Sequence, residues 1–212
     1  MSALDLHVHK WVPAERPGLP TLLLLHGTGG DESDLVPLGR TLLPGAALLS
    51  PRGNVLEQGA PRFFRRLAEG VFDIEDLHRR TAELADFVEA AAERYGFSLD
   101  SLFAVGYSNG ANIAASMLLS RPAALAGGAL FRAMVPFESS TVPSLAGKRV
   151  LISAGRIDQM ISQAGTERLA AILREAGADV ELQWQPTGHG LTAGDVKAGQ
   201  RFLQGAAVMP PE

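Results

Sequence analysis

The chain of 212 residues contains no cysteine. A disulfide framework, a thiolate metal centre and a cysteine nucleophile are therefore excluded. No apolar run approaches the length needed to span a membrane. The N-terminal residues lack the basic start and continuous apolar stretch of a signal peptide, so a cytoplasmic protein without a membrane partner is expected. Neither sign of charge dominates. The net charge is −4, and the basic residues form no stripe, so a nucleic-acid partner is not expected either.

What is present is ordinary for a folded domain, with 46% hydrophobic and 20% charged residues. The length suits one sizeable core, and residues 1–212 are expected to form a single domain. Leu4, Leu6 and Val8 alternate with Asp5, His7 and His9, which predicts a first strand over residues 1–10. Leu22, Leu23, Leu24 and Leu25 read as a strand buried on both faces, and residues 46–49 as another. Residues 54–75 show no periodicity and read as a long loop of functional rather than disordered type. Leu77, Thr81, Leu84, Val88, Ala91 and Tyr95 follow helical spacing, predicting a helix over residues 75–95 that ends at Gly96. Further apolar strands at 128–135, 149–154 and 180–185 alternate with helices at 162–176 and 192–203. This order predicts an α/β fold, a mainly parallel twisted sheet with helices on both faces and no room for a large lid domain.

Leu102, Phe103, Ala104 and Val105 run into Gly106-Tyr107-Ser108-Asn109-Gly110, and an Ala-rich apolar segment follows. A G-x-S-x-G pentapeptide alone carries little weight. Between a buried strand and a helix it reads as a nucleophile elbow, a turn so sharp that the serine hydroxyl stands above the sheet edge. Two later strand ends carry Asp158 and His189, giving the chain order Ser, Asp, His expected of an α/β-hydrolase. His189, flanked by Gly188 and Gly190, suits a general base that takes the serine proton and later returns it to the leaving group. Asp158 would orient the imidazole. Asp179 and Asp195 compete for that role, although Asp179 begins a strand and Asp195 sits in or near a helix. Two backbone N–H groups, those of Thr28 and Asn109, are the candidates for stabilising an oxyanion. The loop His26-Gly27-Thr28-Gly29-Gly30 lacks the Lys-Ser/Thr pair of a phosphate-binding loop.

Taken together, His26-Gly27-Thr28-Gly29-Gly30, Pro51-Arg52-Gly53, Gly106-Tyr107-Ser108-Asn109-Gly110, Gly155-Arg156-Ile157-Asp158 and Gly188-His189-Gly190 resemble the phospholipase/carboxylesterase family of small α/β-hydrolases. The resemblance runs from about residue 20 to residue 205. Residues 61–73 further resemble a bacterial carboxylesterase branch linked to quinone-stress responses. The resemblance implies the α/β-hydrolase fold, Ser108, Asp158 and His189 as a triad, and Thr28 and Asn109 as oxyanion donors. It also implies an enzyme that needs no metal or other cofactor and is often a homodimer. Tyr107 and Asn109 stand where acyl-protein thioesterase relatives often have Phe and Gln, which counts against long-chain acyl thioesters as substrates.

Specificity is expected from residues 62–72. Arg62, Phe63, Phe64 and Leu67, with Phe72, are candidate walls for an acyl or aromatic group, and Arg62 or Arg65 for meeting a carboxylate or phenolate. The alternative is that these arginines, with Arg66, pair with Glu69, Asp73 and Asp76 on a packed surface. Met160 and Ile161, just after Asp158, are further candidates for the pocket. The expected activity is cleavage of a small-molecule carboxylic ester through an acyl-enzyme. A thioesterase or lysophospholipase, a hydrolase of aromatic ring-cleavage products, and a non-catalytic binding module on a hydrolase scaffold are the rivals.

Overall fold

A computed structural model describes residues 2–138, 141 and 143–207. Its central sheet has seven strands: β1 (His9–Val12), β2 (Thr21–Leu25), β3 (Leu48–Pro51), β8 (Leu102–Tyr107), β9 (Gly127–Phe131), β10 (Arg149–Gly155) and β11 (Asp179–Gln185). They lie in the order β1-β3-β2-β8-β9-β10-β11. All neighbours are parallel except β1, which pairs antiparallel with β3 at one edge. Parallel strands need crossovers, and α1 (Val36–Leu42), α2 (Ile74–Tyr95), α3 (Asn109–Ser120) and α4 (Gln163–Glu175) lie within them, while α5 (Ala193–Ala207) follows the last strand, β11.

Side-chain alternation along the strands divides the core into two layers. Leu23 and Leu25 of β2 and Leu130 of β9 face α2, α3 and α4, where Leu77, Ile113 and Leu169 are buried. Leu22, Leu24 and Phe131 face the other way, toward Leu42 of α1 and Phe202 and Leu203 of α5. Near-continuous Leu, Val and Ala in these strands is what a sheet covered on both faces requires. The expected α/β-hydrolase architecture is present, and no lid domain stands over the sheet edge among the described residues.

Two local expectations are corrected. Residues 2–10 are not one strand. Ser2 accepts from the Leu4 N–H while Asp5 accepts from the Ser2 N–H, and this reciprocal cap winds Ala3–Leu6 into a single 3-10 turn before β1 begins. Nor is 54–75 an irregular loop. It holds two antiparallel hairpins, β4 (Val55–Glu57) with β5 (Ala60–Arg62), and β6 (Arg66–Ala68) with β7 (Val71–Phe72). Gln58 and Gly59 both have positive φ, 52° and 85°, the backbone of a type I′ hairpin turn. Strands of two or three residues are too short to show a periodicity.

Candidate active site

Every parallel strand ends on the same edge of the sheet, and four strand-end loops converge there. The turn after β8 is strained as an elbow requires. Ser108, a non-glycine residue, sits at φ 52° and ψ −114°, and its own N–H donates to Phe131 O at 2.9 Å. Close approach explains the flanking glycines. A Cβ on Gly106 would lie 2.7 Å from backbone atoms of Ala111 and Gly110, and one on Gly110 would overlap the Leu25 carbonyl.

A continuous hydrogen-bonded chain runs across the edge. His189 Nε2 lies 2.9 Å from Ser108 Oγ, and its Nδ1 lies 2.8 Å from Asp158 Oδ2. The Asp158 carboxylate is almost fully buried, and its other oxygen accepts from the Met160 and Ile161 N–H groups at 2.9 and 3.2 Å. A carboxylate oxygen opposite Nδ1 selects the tautomer protonated there. The lone pair on Nε2 is then left to accept from the serine hydroxyl, the arrangement that can move a proton off Oγ. Asp179 lies at the start of β11, the opposite end of that strand, and Asp195 is bound to Arg132 at 2.8 Å.

The neighbouring loop after β2 is held rigid by His26, as a chain of contacts shows. Its Nδ1–H donates to Gly27 O at 2.7 Å, and Nε2 accepts from the Gly53 N–H at 2.9 Å. Burial pushes the His26 pKa down, favouring the neutral ring that these two bonds need. Thr28 in this loop and Asn109 at the first position of α3 both border the cleft. The first N–H groups of a helix have no acceptor within it, so Asn109 offers its backbone donor at the elbow. The Asn109 side chain is occupied differently, its Oδ1 accepting from the Phe63 N–H at 2.8 Å.

These groups open into a cleft bordered also by Arg62, Arg66, Glu69, Gly70, Phe72, Asn112, Met134, Met160 and Ile161. Of the expected specificity residues, Arg62, Met160, Ile161 and Phe72 line it. Phe63, Phe64 and Leu67 do not. Phe63 and Phe64 are buried in the core, the first with its ring 4.7 Å from that of His26 and the second edge-on to Phe72 at 5.0 Å. Leu67 is 73% exposed, because alternation along β6 turns it away from the face that Arg66 presents. Asn112 was not anticipated, although it lies one helical turn beyond Ser108 and so shares its face of α3. Its Oδ1 accepts from the Met134 N–H at 2.7 Å.

The arginines are largely spoken for. Arg62 is buried, donates through Nη1 to Thr28 Oγ1 at 2.6 Å and through Nε to Phe64 O at 3.1 Å, and pairs with Glu57 at 3.3 Å. Arg66 also pairs with Glu57, at 2.7 Å. Arg65 stands outside the cleft wall, paired with Asp73 at 2.8 Å and with Asp76 at 3.8 Å. Two arginines sharing one glutamate leave an excess of positive charge on this wall, offset at the rim by Glu69.

A mainly parallel sheet, a strained serine elbow at its edge and a Ser–His–Asp hydrogen-bonded chain define the class as α/β-hydrolase. Comparison with known proteins narrows it. Residues 58–201 match the dienelactone hydrolase family, and the chain belongs to that family. It is 48% identical over 187 residues to a Bacillus subtilis (strain 168) protein described as "Putative hydrolase MhqD", covering 88% of this chain and 94% of the relative. The Bacillus cereus carboxylesterase superposes with a TM-score of 0.91 at 48% identity, covering 93% of each chain. A carboxylesterase from Mesorhizobium loti gives 0.83 at 35% identity, covering 88% of each. The protein is a hydrolase of the dienelactone hydrolase and carboxylesterase type.

Proposed function

We propose that the chain is a serine carboxylesterase that cleaves small carboxylic esters through an acyl-enzyme, with Ser108 as nucleophile, His189 as general base and acid, and Asp158 as the orienting carboxylate. The observation that carries this reading is the unbroken chain from Ser108 Oγ through His189 to Asp158 Oδ2, with separations of 2.9 and 2.8 Å. As Oγ attacks the ester carbonyl carbon, its proton passes to Nε2 and negative charge gathers on the carbonyl oxygen. The backbone N–H groups of Asn109 and Thr28 would receive that charge. Collapse expels the alcohol, which leaves with the proton from Nε2. Water then attacks the acyl-enzyme, giving its proton to the same nitrogen, and release of the acid restores the serine hydroxyl.

The cleft suits a compact acyl group. Phe72, Met134, Met160 and Ile161 give it apolar lining, and the polar side chains of Arg62, Arg66 and Asn112 border the same space. The family match favours a second substrate within the same chemistry, a lactone of the aromatic ring-cleavage type, opened by the same attack with the alcohol retained on the product.

Replacing Ser108 with Ala tests the mechanism. Hydrolysis of p-nitrophenyl acetate should fall by at least about 10³-fold with the circular dichroism and melting temperature retained. A fluorophosphonate should label the wild type at Ser108 and leave the variant untouched. An S108A variant with full activity refutes the assignment, and a wild type that is neither active nor labelled favours a binding module instead. Rates on acetyl, long-acyl thioester and lactone substrates side by side decide between the substrate classes.

A further inference from the structure

His189 lies between Gly188 and Gly190, and such a loop has few side chains of its own to fix its course. A Cβ built on Gly190 would meet nothing within 4 Å, so a side chain at that position would not pack the loop in place either. Three consecutive carbonyls of this loop are nevertheless held by side chains. Arg132 donates through Nε to Gly188 O at 3.2 Å and through Nη2 to Gly190 O at 2.6 Å, and the Tyr107 hydroxyl donates to His189 O at 3.1 Å.

Arg132 is wholly buried just past β9, at a left-handed φ of 59°. A guanidinium has five N–H donors, and here each has an acceptor. Besides the two loop carbonyls, Nη1 donates to Ser153 O at 3.0 Å and to Asp195 Oδ1 at 2.8 Å, and Nη2 donates to Asp195 Oδ2 at 2.9 Å. Asp195 in turn fastens the far end of the loop. Its Oδ2 accepts from the Thr192 N–H at 2.7 Å and from the Thr192 hydroxyl at 2.8 Å, and its Oδ1 from the Ser153 hydroxyl at 2.7 Å. Burial alone would raise the Asp195 pKa, but the bonds from Arg132, Ser153 and Thr192 outweigh it and hold the carboxyl below its usual range. Replacing a buried ion pair by apolar residues of similar volume is often neutral or stabilising, so stability is a poor reason for this pair to be here. Geometry is a better one.

We propose that Arg132 and Asp195 form a positioning clamp for His189, holding the loop on both sides of the imidazole so that Nε2 stays within reach of Ser108 Oγ. Neither residue touches the reacting atoms, and the proposal rests on the serine-hydrolase reading above. The clamp also explains why Asp195 is not the partner of the imidazole, since both its oxygens are already committed.

The test is the double variant Arg132→Met with Asp195→Leu, which removes both charges and leaves no unpaired carboxylate in the interior. The clamp predicts KM within about threefold and kcat lower by about 10- to 100-fold, the scale of loss from an ångström of misplacement, in a protein whose circular dichroism spectrum is retained. The Nδ1 proton of His189, which resonates far downfield while bonded to Asp158, should broaden or vanish in the proton NMR spectrum. Arg132→Lys, which keeps the charge but at most three of five donors, should fall between. If the double variant does not fold, Asp195→Asn, which keeps the side-chain shape, gives the same readouts. Unchanged kcat together with an unchanged His189 proton would overturn the clamp while leaving the hydrolase reading intact. A wild type without esterase activity would remove that reading, and the NMR signal would still report whether the pair positions the ring.

Discussion

Gly110→Ala is the smallest perturbation that reaches the elbow. The added methyl would overlap the Leu25 carbonyl and lie 2.6 Å from His26 O, and these are backbone atoms of β2 and the loop it feeds. Ordinary carbon contacts need about 3.5 Å, so the start of α3 must retreat by at least about 1 Å. Overpacking of this kind costs about 1–3 kcal/mol. For a chain of this size each kcal/mol lowers the melting temperature by about 2–4 °C, so a fall of roughly 2–12 °C is expected. The same retreat carries Ser108 and the Asn109 N–H away from the Thr28 loop, and misplacement on that scale costs about 10²-fold in kcat. The control is Gly190→Ala, in the loop beside His189, where the methyl meets open space and stability should change by no more than about 0.5 kcal/mol. Thermal unfolding followed by circular dichroism and steady-state ester hydrolysis measure both quantities. A G110A protein with wild-type melting and wild-type kcat would refute the close-approach argument.

Two further outcomes follow from placements in the structure. Phe64→Ala should destabilise the fold by about 3–5 kcal/mol in urea unfolding, as expected for a fully buried aromatic; exposed Leu67→Ala should stay within about 0.5 kcal/mol, and equal effects at the two positions would overturn the burial assigned to them. His7 and His26 both have pKa values lowered, chiefly by burial. In the unfolded chain they titrate near 6.5, so between that value and their lower folded-state values the unfolded chain binds protons that the folded one does not. Stability should therefore fall as pH drops below about 6.5, with no slope from these groups above it. Urea midpoints that stay level from pH 5 to pH 7.5 would contradict this.

The parts of the site that are legible in the sequence are those imposed by tight geometry. The elbow could be read because a strand, a strained serine and a helix packed at backbone contact leave room only for glycine at 106 and 110. That Asp158 and His189 lie beside Ser108 could be expected because parallel strands deliver their C-terminal ends to one edge. The cleft wall was harder. Phe63, Phe64 and Leu67 lie in a segment without periodicity, where an aromatic residue fits a core and a pocket equally well. The turn pair Gln58-Gly59 was the available sign that this segment folds as a hairpin. Arg132 carries no motif at all. A lone arginine past a strand becomes meaningful only when Gly188, Gly190 and Asp195, 56, 58 and 63 positions away, are brought around it.

The bond from Arg62 to the Thr28 hydroxyl has a consequence for how this protein can change. One guanidinium borders the cleft and at the same time holds the loop that, in the proposed mechanism, would receive the developing charge. A substitution of Arg62 that reshapes the cleft would therefore also release the Thr28 side chain, so on the proposed reading the two cannot change independently. Diversification is freer at Met134, Met160 and Ile161, whose side chains border the same space without donating to that loop.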